Sequence, residues 1–261
     1  MVTRVAVVGA SGRLGSLACS VIEQQSDLAL VAQLDSRSDL GEMLGADVVL
    51  DVTAPGVSAT IVDHAVRAGL NVLVGTSGWS DERLRTLRTL LASHPESGVV
   101  VVPNFSIGSV VATHLSTIAA QWFESIEIVE THHAAKVDSP SGTAVRTAEL
   151  IGKARADLGP VVAPHTDQRA RGQQVASVPV HSLRLQGVIA RQDVHFGGTG
   201  ETVTITHETF SASSYEAGIL LSLRAAATAT GLTVGLDALL GLGPVAPGTA
   251  DGVDSDSDDA A

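Results

Sequence analysis

The chain of 261 residues contains one cysteine, Cys19, so no disulfide can form within it. That fits a reducing compartment such as the cytosol. Cys19 lies in an apolar helical stretch and reads as a plain buried side chain. Aromatic residues make up 3% of the chain, so a core must be built from Val, Leu, Ile and Ala. This mix suits a parallel sheet covered by Ala-rich helices. There is no apolar run of the roughly 18 residues that a membrane span requires. The opening "MVTRVAVVGASG" breaks its apolar run with glycine too soon for a signal peptide. Basic residues are also scarce: 16 Lys and Arg stand against 28 Asp and Glu, for a net charge of -12. Such a chain is not built to bind nucleic acid.

Hydrophobic residues nevertheless reach 44%, enough for a sizeable core in one or two domains. Part of the negative charge is local. "PGTADGVDSDSDDAA" carries five aspartates and no basic residue, and residues 248–261 are expected to be a disordered acidic tail. Removing those five charges from -12 leaves -7, so an anionic ligand would still need a local cationic site.

The first half alternates strand-like and helix-like segments. "RVAVVGA", "LALVAQLD", "DVVLDVT", "NVLVGTS" and "GVVVVPNFS" read as strands. Between them, "GRLGSLACSVIEQQSD" carries Leu14, Leu17, Ala18, Val21 and Ile22 at helical spacing. "SATIVDHAVRAG" ends at Gly69, and "SDERLRTLRTLLASH" starts at Ser80, a good N-cap. This rhythm predicts a doubly wound parallel sheet. Further on, "VVATHLSTIAAQWF" reads as a helix, "SIEIVETHH" as a strand and "TAVRTAELIGKARADLG" as a helix. Residues 160–215 alternate between turns and read as largely antiparallel strands. A last helix, "YEAGILLSLRAAATATG", precedes the tail.

Two stretches carry chemistry. In "VAVVGASGRLG", Gly9, Gly12 and Gly15 follow the first strand and open a helix, with Ala10 where the commonest fingerprint has glycine. Asp35 follows Gly15 by twenty positions, at the end of the second strand. Strand before, helix after and an acid downstream together point to a dinucleotide site. Glycines let the backbone approach a pyrophosphate, and a helix N-terminus offers N–H groups and a positive dipole end. Asp35 could accept from an adenosine ribose. It favours NAD, whereas Arg37 could pair with a 2'-phosphate, so NADH and NADPH both stay open. Arg13 could reach phosphates. Gly75, Thr76 and Ser77 end the fourth strand, and Val102, Pro103, Asn104 and Phe105 end the fifth, on the rim where open α/β sheets bind ligands.

The other stretch is "ETHHAAKVDSPSGTAV". His132 and His133 close a strand, where adjacent side chains point to opposite faces. One could face a cofactor and the other a substrate or a structural partner. Lys136 adds a cation within reach. Ser141 is a good N-cap, and Gly142 and Thr143 offer backbone N–H groups at a helix start, a pre-built carboxylate site. Proton-transfer groups, a cation and an anion cradle suit reduction of a substrate bearing carboxylates. The remaining histidines show no zinc spacing and no cysteine lies near, so no metal is expected. No nucleophile elbow is present for a Ser-His-Asp hydrolase.

This block resembles the signature of the dihydrodipicolinate reductase family, now called 4-hydroxy-tetrahydrodipicolinate reductases, roughly E-x-H-H-x-x-K-x-D-A-P-S-G-T-A. It departs only at Ser139, where alanine is usual. The likeness runs to about residue 245 through "GASGRLG", "VVLDVTAP", "VLVGTSGW", "VPNFSIG" and "VHSLRLQGVIA". The resemblance implies a Rossmann-type dinucleotide-binding domain, residues 1–106 with 215–247, and an inserted α+β substrate and oligomerisation domain, residues 107–214. It implies NADH- or NADPH-dependent reduction in the diaminopimelate route to lysine, with a cyclic dicarboxylate as substrate, in a cytoplasmic homotetramer. His132 would match the family's proton donor/acceptor and Lys136 its proton donor. His133, Gly142 and Thr143 would touch substrate, beside the N-cap Ser141. Gly9, Ala10, Ser11, Gly12, Arg13 and Leu14 would line the cofactor site with residues 75–77 and 102–105. The chain departs at Ser11, at Ala212 and at Gln192-Asp193, where some members carry lysine, arginine and a histidine-glutamate pair. Rival readings are another Rossmann amino-acid or semialdehyde dehydrogenase and a non-catalytic NAD(P) sensor.

Overall fold

The computed structural model describes residues 2–243, which divide into two compact units. Residues 2–110 with 212–243 form the first, and residues 111–211 the second. The acidic segment 248–261 lies outside the described residues.

The first unit is a six-stranded sheet: β1 (Thr3–Val8), β2 (Leu28–Leu34), β3 (Val48–Asp51), β4 (Asn71–Val74), β5 (Gly98–Val101) and β11 (Gly231–Val234). Its order is β11-β5-β4-β3-β1-β2, and every neighbouring pair is parallel. Helices α1 (Arg13–Glu23), α2 (Pro55–Arg67), α3 (Asp81–Ala92), α6 (Glu216–Ala226) and the short α7 (Leu236–Leu239) belong to this unit. The strands are largely aliphatic: β3 and β5 are buried at all four positions, as helices on both faces require. Ala6, Val49, Val72 and Val99 pack with Ile61 and Leu87 on one face. Val5, Val48, Leu73 and Val100 pack with Ile22, Ile219 and Leu223 on the other. Each such aliphatic side chain contributes about 1.5–3 kcal/mol on burial. Cys19 is buried and free in the second of these clusters. Ser80 caps α3 by accepting from Arg83 N–H, and Gly69, at φ +75°, follows α2.

The strand β11 departs from the sequence reading, which placed only a helix before the tail. Four half-buried residues at a sheet edge are too short for a visible alternation. The strand is placed from outside itself. Asn71 donates to the Ala226 carbonyl and accepts from Gly98 N–H, which ties the end of α6 to the sheet.

Helix α4 (Ile107–Ala119) carries the chain into the second unit. There β6 (Ser125–His133), β7 (Gln173–Val175), β8 (Val178–Leu185), β9 (Ala190–Gly198) and β10 (Glu201–Thr209) form a sheet in the order β10-β9-β6-β8-β7. The neighbours are antiparallel except β6 and β8, which run parallel. Ala176 and Ser177, both at positive φ, turn the chain between β7 and β8. Ile126, Ile128, Val180, Val194 and Phe196 pack on Ala144, Ala148 and Ile151 of α5 (Gly142–Ala154). Among the described residues, no helix is long and apolar enough to cross a membrane.

Candidate active site

In the first unit, the glycine loop is shaped by close approaches. Gly9 sits at φ +92°, and an added Cβ there would lie 2.6 Å from the Val52 carbonyl oxygen. A Cβ on Gly15 would lie 2.0 Å from the Gly9 carbonyl oxygen, so the helix packs directly on the turn. Gly12 is the N-cap of α1 and brings no side chain to it. The first N–H groups of that helix are therefore left to whatever binds there. Ser11, Gly12 and Arg13 are exposed, Leu14 is half-buried and Ala10 is buried. A phosphate-bearing dinucleotide fits this loop by charge and by space.

Asp35 and Arg37 lie just beyond β2 and hold each other. Arg37 N–H donates to Asp35 Oδ1 at 2.8 Å, and its guanidinium reaches Oδ2 at 3.3 Å. Those bonds, the backbone one first, keep the Asp35 carboxyl below its ordinary range despite partial desolvation. Arg37 is exposed and can swing away.

The ends of β3 and β4 are organised by a residue to which the sequence motifs assign no role. Asp51 is fully buried and accepts from Thr53 N–H, Thr53 Oγ1 and Ser58 Oγ. Thr53 N–H also donates to Thr76 Oγ1 at 2.9 Å, and Trp79 Nε1–H to Ser58 Oγ at 3.0 Å. A carboxylate at the end of the otherwise apolar "VVLD" was the available signal. Gly75 leaves room for Phe105, whose ring would lie 2.6 Å from an added Cβ. Val102 and Phe105 are core side chains, so only their backbone can meet a ligand. Asn104 accepts from Ser106 N–H and donates to Ser109 Oγ, fixing the turn into α4. Ser77 and Pro103 are exposed.

In the second unit, strand alternation separates the two histidines. His132 lies in register with Arg184, on the sheet face that carries Glu130, Ile128 and Ile126; His133 lies on the opposite face. Glu130 is fully buried. His132 Nδ1 lies 2.6 Å from Glu130 Oε2. Arg184 donates to both carboxylate oxygens at 2.9 Å, a bidentate pair, and also to the Asp138 carbonyl at 2.6 Å. Ser141 N–H donates to Glu130 Oε1 at 3.2 Å.

Burial pushes the Glu130 carboxyl up, but hydrogen bonds from Arg184, Ser182 and His132 outweigh it and hold the group below its ordinary value. Burial pushes the His132 imidazole down. Lys136 and Arg184 push the same way by charge, against Glu130. Lys136 follows a turn closed by its own N–H to the His133 carbonyl, and its Nζ pairs with Asp138 Oδ1 at 2.7 Å.

Ser141 is the N-cap of α5, accepting from Ala144 N–H, and is itself buried. The N–H groups of Gly142 and Thr143 have no acceptor within the helix. An added Cβ on Gly142 would meet nothing within 4 Å, so the helix start faces open space. Glu130 and Arg184 thus tie together His132, the Asp138 backbone in the loop that carries Lys136, and Ser141 at the start of α5. Glu130 and Arg184 carry no role in the sequence motifs. The signal lay in the strand period: Glu130 sits two residues before His132, on the inward face among isoleucines.

The comparisons with known proteins agree with this geometry. Residues 3–105 match the family described as "Dihydrodipicolinate reductase, N-terminus", and residues 108–240 match "Dihydrodipicolinate reductase, C-terminus". The chain belongs to the dihydrodipicolinate reductase family. It is a pyridine-nucleotide-dependent oxidoreductase of the diaminopimelate route to lysine. A 4-hydroxy-tetrahydrodipicolinate reductase of Clavibacter sepedonicus is 60% identical over 92% of this chain and 87% of its own length. A 4-hydroxy-tetrahydrodipicolinate reductase of Streptomyces griseus is 48% identical over 92% of this chain and 98% of its own. A solved dipicolinate-bound dihydrodipicolinate reductase from Paenisporosarcina sp. TG-14 superposes with a TM-score of 0.77. It is 30% identical and covers 91% of this chain and 99% of its own. The resemblance drawn from "ETHHAAKVDSPSGTAV" and the glycine loop is borne out, as is the α/β fold class.

Proposed function

We propose that the protein converts 4-hydroxy-tetrahydrodipicolinate to tetrahydrodipicolinate, using NADH or NADPH, as a cytoplasmic homotetramer. A hydride and a proton are added and the 4-hydroxyl leaves as water, so the conversion balances. The bound nicotinamide supplies the hydride. The chain's own residues do the rest, and its two units divide the work between dinucleotide and substrate. The glycine loop, Gly9 to Leu14, takes the pyrophosphate on the N-terminus of α1. Gly75 to Ser77 and the backbone of 102–105 form the rim beside it. Asp35 accepts from the adenosine ribose, and Arg37 swings to a 2'-phosphate when one is present; this pair makes use of both nucleotides the natural expectation.

In the second unit, Gly142 and Thr143 offer N–H groups to a substrate carboxylate at a helix start fixed by Ser141. Lys136 adds positive charge and an ammonium proton, His132 is the second proton-transfer group, and His133 is a further substrate contact. Holding the substrate in place and matching its charge supply most of the catalysis. The observation that carries this reading is the open α5 start beside a lysine and a carboxylate-anchored histidine, in a chain both family models cover.

The deciding experiment couples the protein to the upstream synthase, which makes the unstable substrate in place, and follows oxidation of NADH and of NADPH. Turnover with the dipicolinate precursor and at least one nucleotide is expected. No oxidation above background with either would overturn the proposal. Turnover of a semialdehyde instead would point to a different dehydrogenase, and nucleotide binding without turnover to a sensor.

A further inference from the structure

We propose that Glu130, clamped by Arg184, is a positioning residue that holds His132 as the Nδ1–H tautomer and ties the Lys136 loop and the start of α5 to the same carboxylate. The inference rests on the site reading given above.

An ionised carboxylate can only accept hydrogen bonds. The 2.6 Å contact therefore places a proton on His132 Nδ1, and in the neutral ring the lone pair falls on Nε2. Free imidazole side chains in water favour the opposite tautomer, so the protein has selected this one. The carboxylate is fully engaged: Oε1 accepts from Arg184 and Ser141, Oε2 from Arg184 and His132, and Ser182 of β8 is hydrogen-bonded to it as well. Its partners come from three elements, β6, β8 and the start of α5. Through the bond from Arg184 to the Asp138 carbonyl, it also fixes the loop where Lys136 pairs with Asp138.

A merely structural role accounts poorly for this arrangement. Burying an ion pair costs desolvation, and apolar side chains of similar volume stabilise as well or better. Alternation along β6 makes the neighbouring inward positions Ile126 and Ile128, so an apolar residue would suit position 130 by packing alone. What an apolar residue cannot do is accept from Nδ1. The charged groups facing His132 are Glu130 on its own strand, Arg184 on β8 and Lys136 in the loop. Its register partner on β9 is Ala190, which brings no charge. With Nε2 bare, neutral His132 is an acceptor, and Lys136 is the only donor of the two. That separates the roles of two groups which residue type alone leaves interchangeable.

The test reads the tautomer directly. Full-length protein labelled with ¹⁵N-histidine is measured at neutral pH by two-bond ¹H–¹⁵N correlation, with His132 assigned by its loss in His132→Gln. A protonated Nδ1 and bare Nε2 are expected; a protonated Nε2 would overturn the proposal. A paired variant, Glu130→Met with Arg184→Met, removes both charges together and leaves neither orphaned. In it the His132 signal should move toward the Nε2–H form. Turnover should fall on the order of 10- to 100-fold, as expected for a misdirected acid–base group, and the acid limb of the pH profile should shift. Unchanged tautomer and turnover in that variant would equally sink the idea. The tautomer is read without substrate, so an inactive protein with the expected tautomer would count against the reductase reading and not against this one.

Discussion

The two candidate regions, one in each unit, are built by opposite means. In the first unit the glycine loop works by missing side chains: Gly9, Gly12 and Gly15 leave backbone against backbone and backbone toward a ligand. In the second, Glu130, Arg184, His132, Lys136 and Asp138 form a charged network that aims individual side chains. A site made of backbone is intolerant of added atoms but indifferent to pH. A site made of paired charges should tolerate bulk where space is open, and should respond to protons.

The sharpest way to break that contrast is to add one methyl group to each region. Gly15→Ala puts a Cβ 2.0 Å from the Gly9 carbonyl oxygen, which neither helix nor turn can accommodate without moving. Nucleotide affinity should fall by at least about 100-fold, or the protein should fail to fold, since the loop and α1 are placed by that contact. Gly142→Ala places its methyl in open space at a helix start. Its melting temperature should stay within about 2 °C of the parent, because one exposed helix substitution is worth at most about 1 kcal/mol. Its KM for substrate should rise severalfold with nucleotide affinity unchanged. Fluorescence titration with NADH and the coupled assay read both outcomes. Equal loss of nucleotide binding in the two variants would erase the distinction.

Next in size is the cation. Lys136→Ala should lower kcat on the order of 100-fold, the usual worth of a positioned proton donor, while the Kd for NADH and NADPH stays within about twofold. If both fell together, the assignment of nucleotide and substrate to different units would be wrong.

Proton sensitivity is smaller and has a definite sign. The folded protein holds the His132 imidazole below its ordinary value of 6.5. As pH drops below that value, the unfolded chain takes up a proton that the folded one resists, so stability falls with falling pH until folded His132 titrates. Glu130, held below its ordinary value of 4.5, acts in the same direction at lower pH: the unfolded chain is protonated first. Urea denaturation between about pH 5 and 7.5 should show stability declining toward acid, and His132→Gln should flatten that slope. It should not abolish it, because burial also holds His207 low. Activity that needs a neutral His132 should likewise show its acid limb below 6.5.

The contrast also explains what could be read from the sequence. Backbone sites leave a spacing: Gly9, Gly12, Gly15 and an acid twenty residues on are visible as letters, as are the buried valine runs of β3 and β5. Networks leave only parity. That Glu130 and His132 share a face follows from the strand period, but that Arg184 meets them follows from the parallel pairing of β6 with β8, 54 residues apart at the Glu130–Arg184 contact. Residue alternation does not give strand neighbours, which is also why that region read as largely antiparallel without its one parallel pair. Asp51 is a similar case, since Thr53, Ser58 and Thr76 converge on it or beside it only once β3 and β4 are paired. β11 was hidden for a different reason. Its four residues carry no pattern, and the close approach of Gly98 to Ala229 and the Asn71 bonds place it from elsewhere.

The smallest effect probes a corner of the first unit where side-chain charge enters. Asp35 and Arg37 are paired, but Arg37 is exposed to solvent that screens the pair, so separating them costs little. A 2'-phosphate offers Arg37 a doubly charged partner in place of a carboxylate. Arg37→Ala should therefore raise KM for NADPH a few fold, leave KM for NADH nearly unchanged, and reduce the salt dependence of the NADPH value. Asp35→Ala should act on the other nucleotide, weakening NADH through loss of the ribose acceptor. If Arg37→Ala changed the two nucleotides alike, its charge would play no part in nucleotide choice.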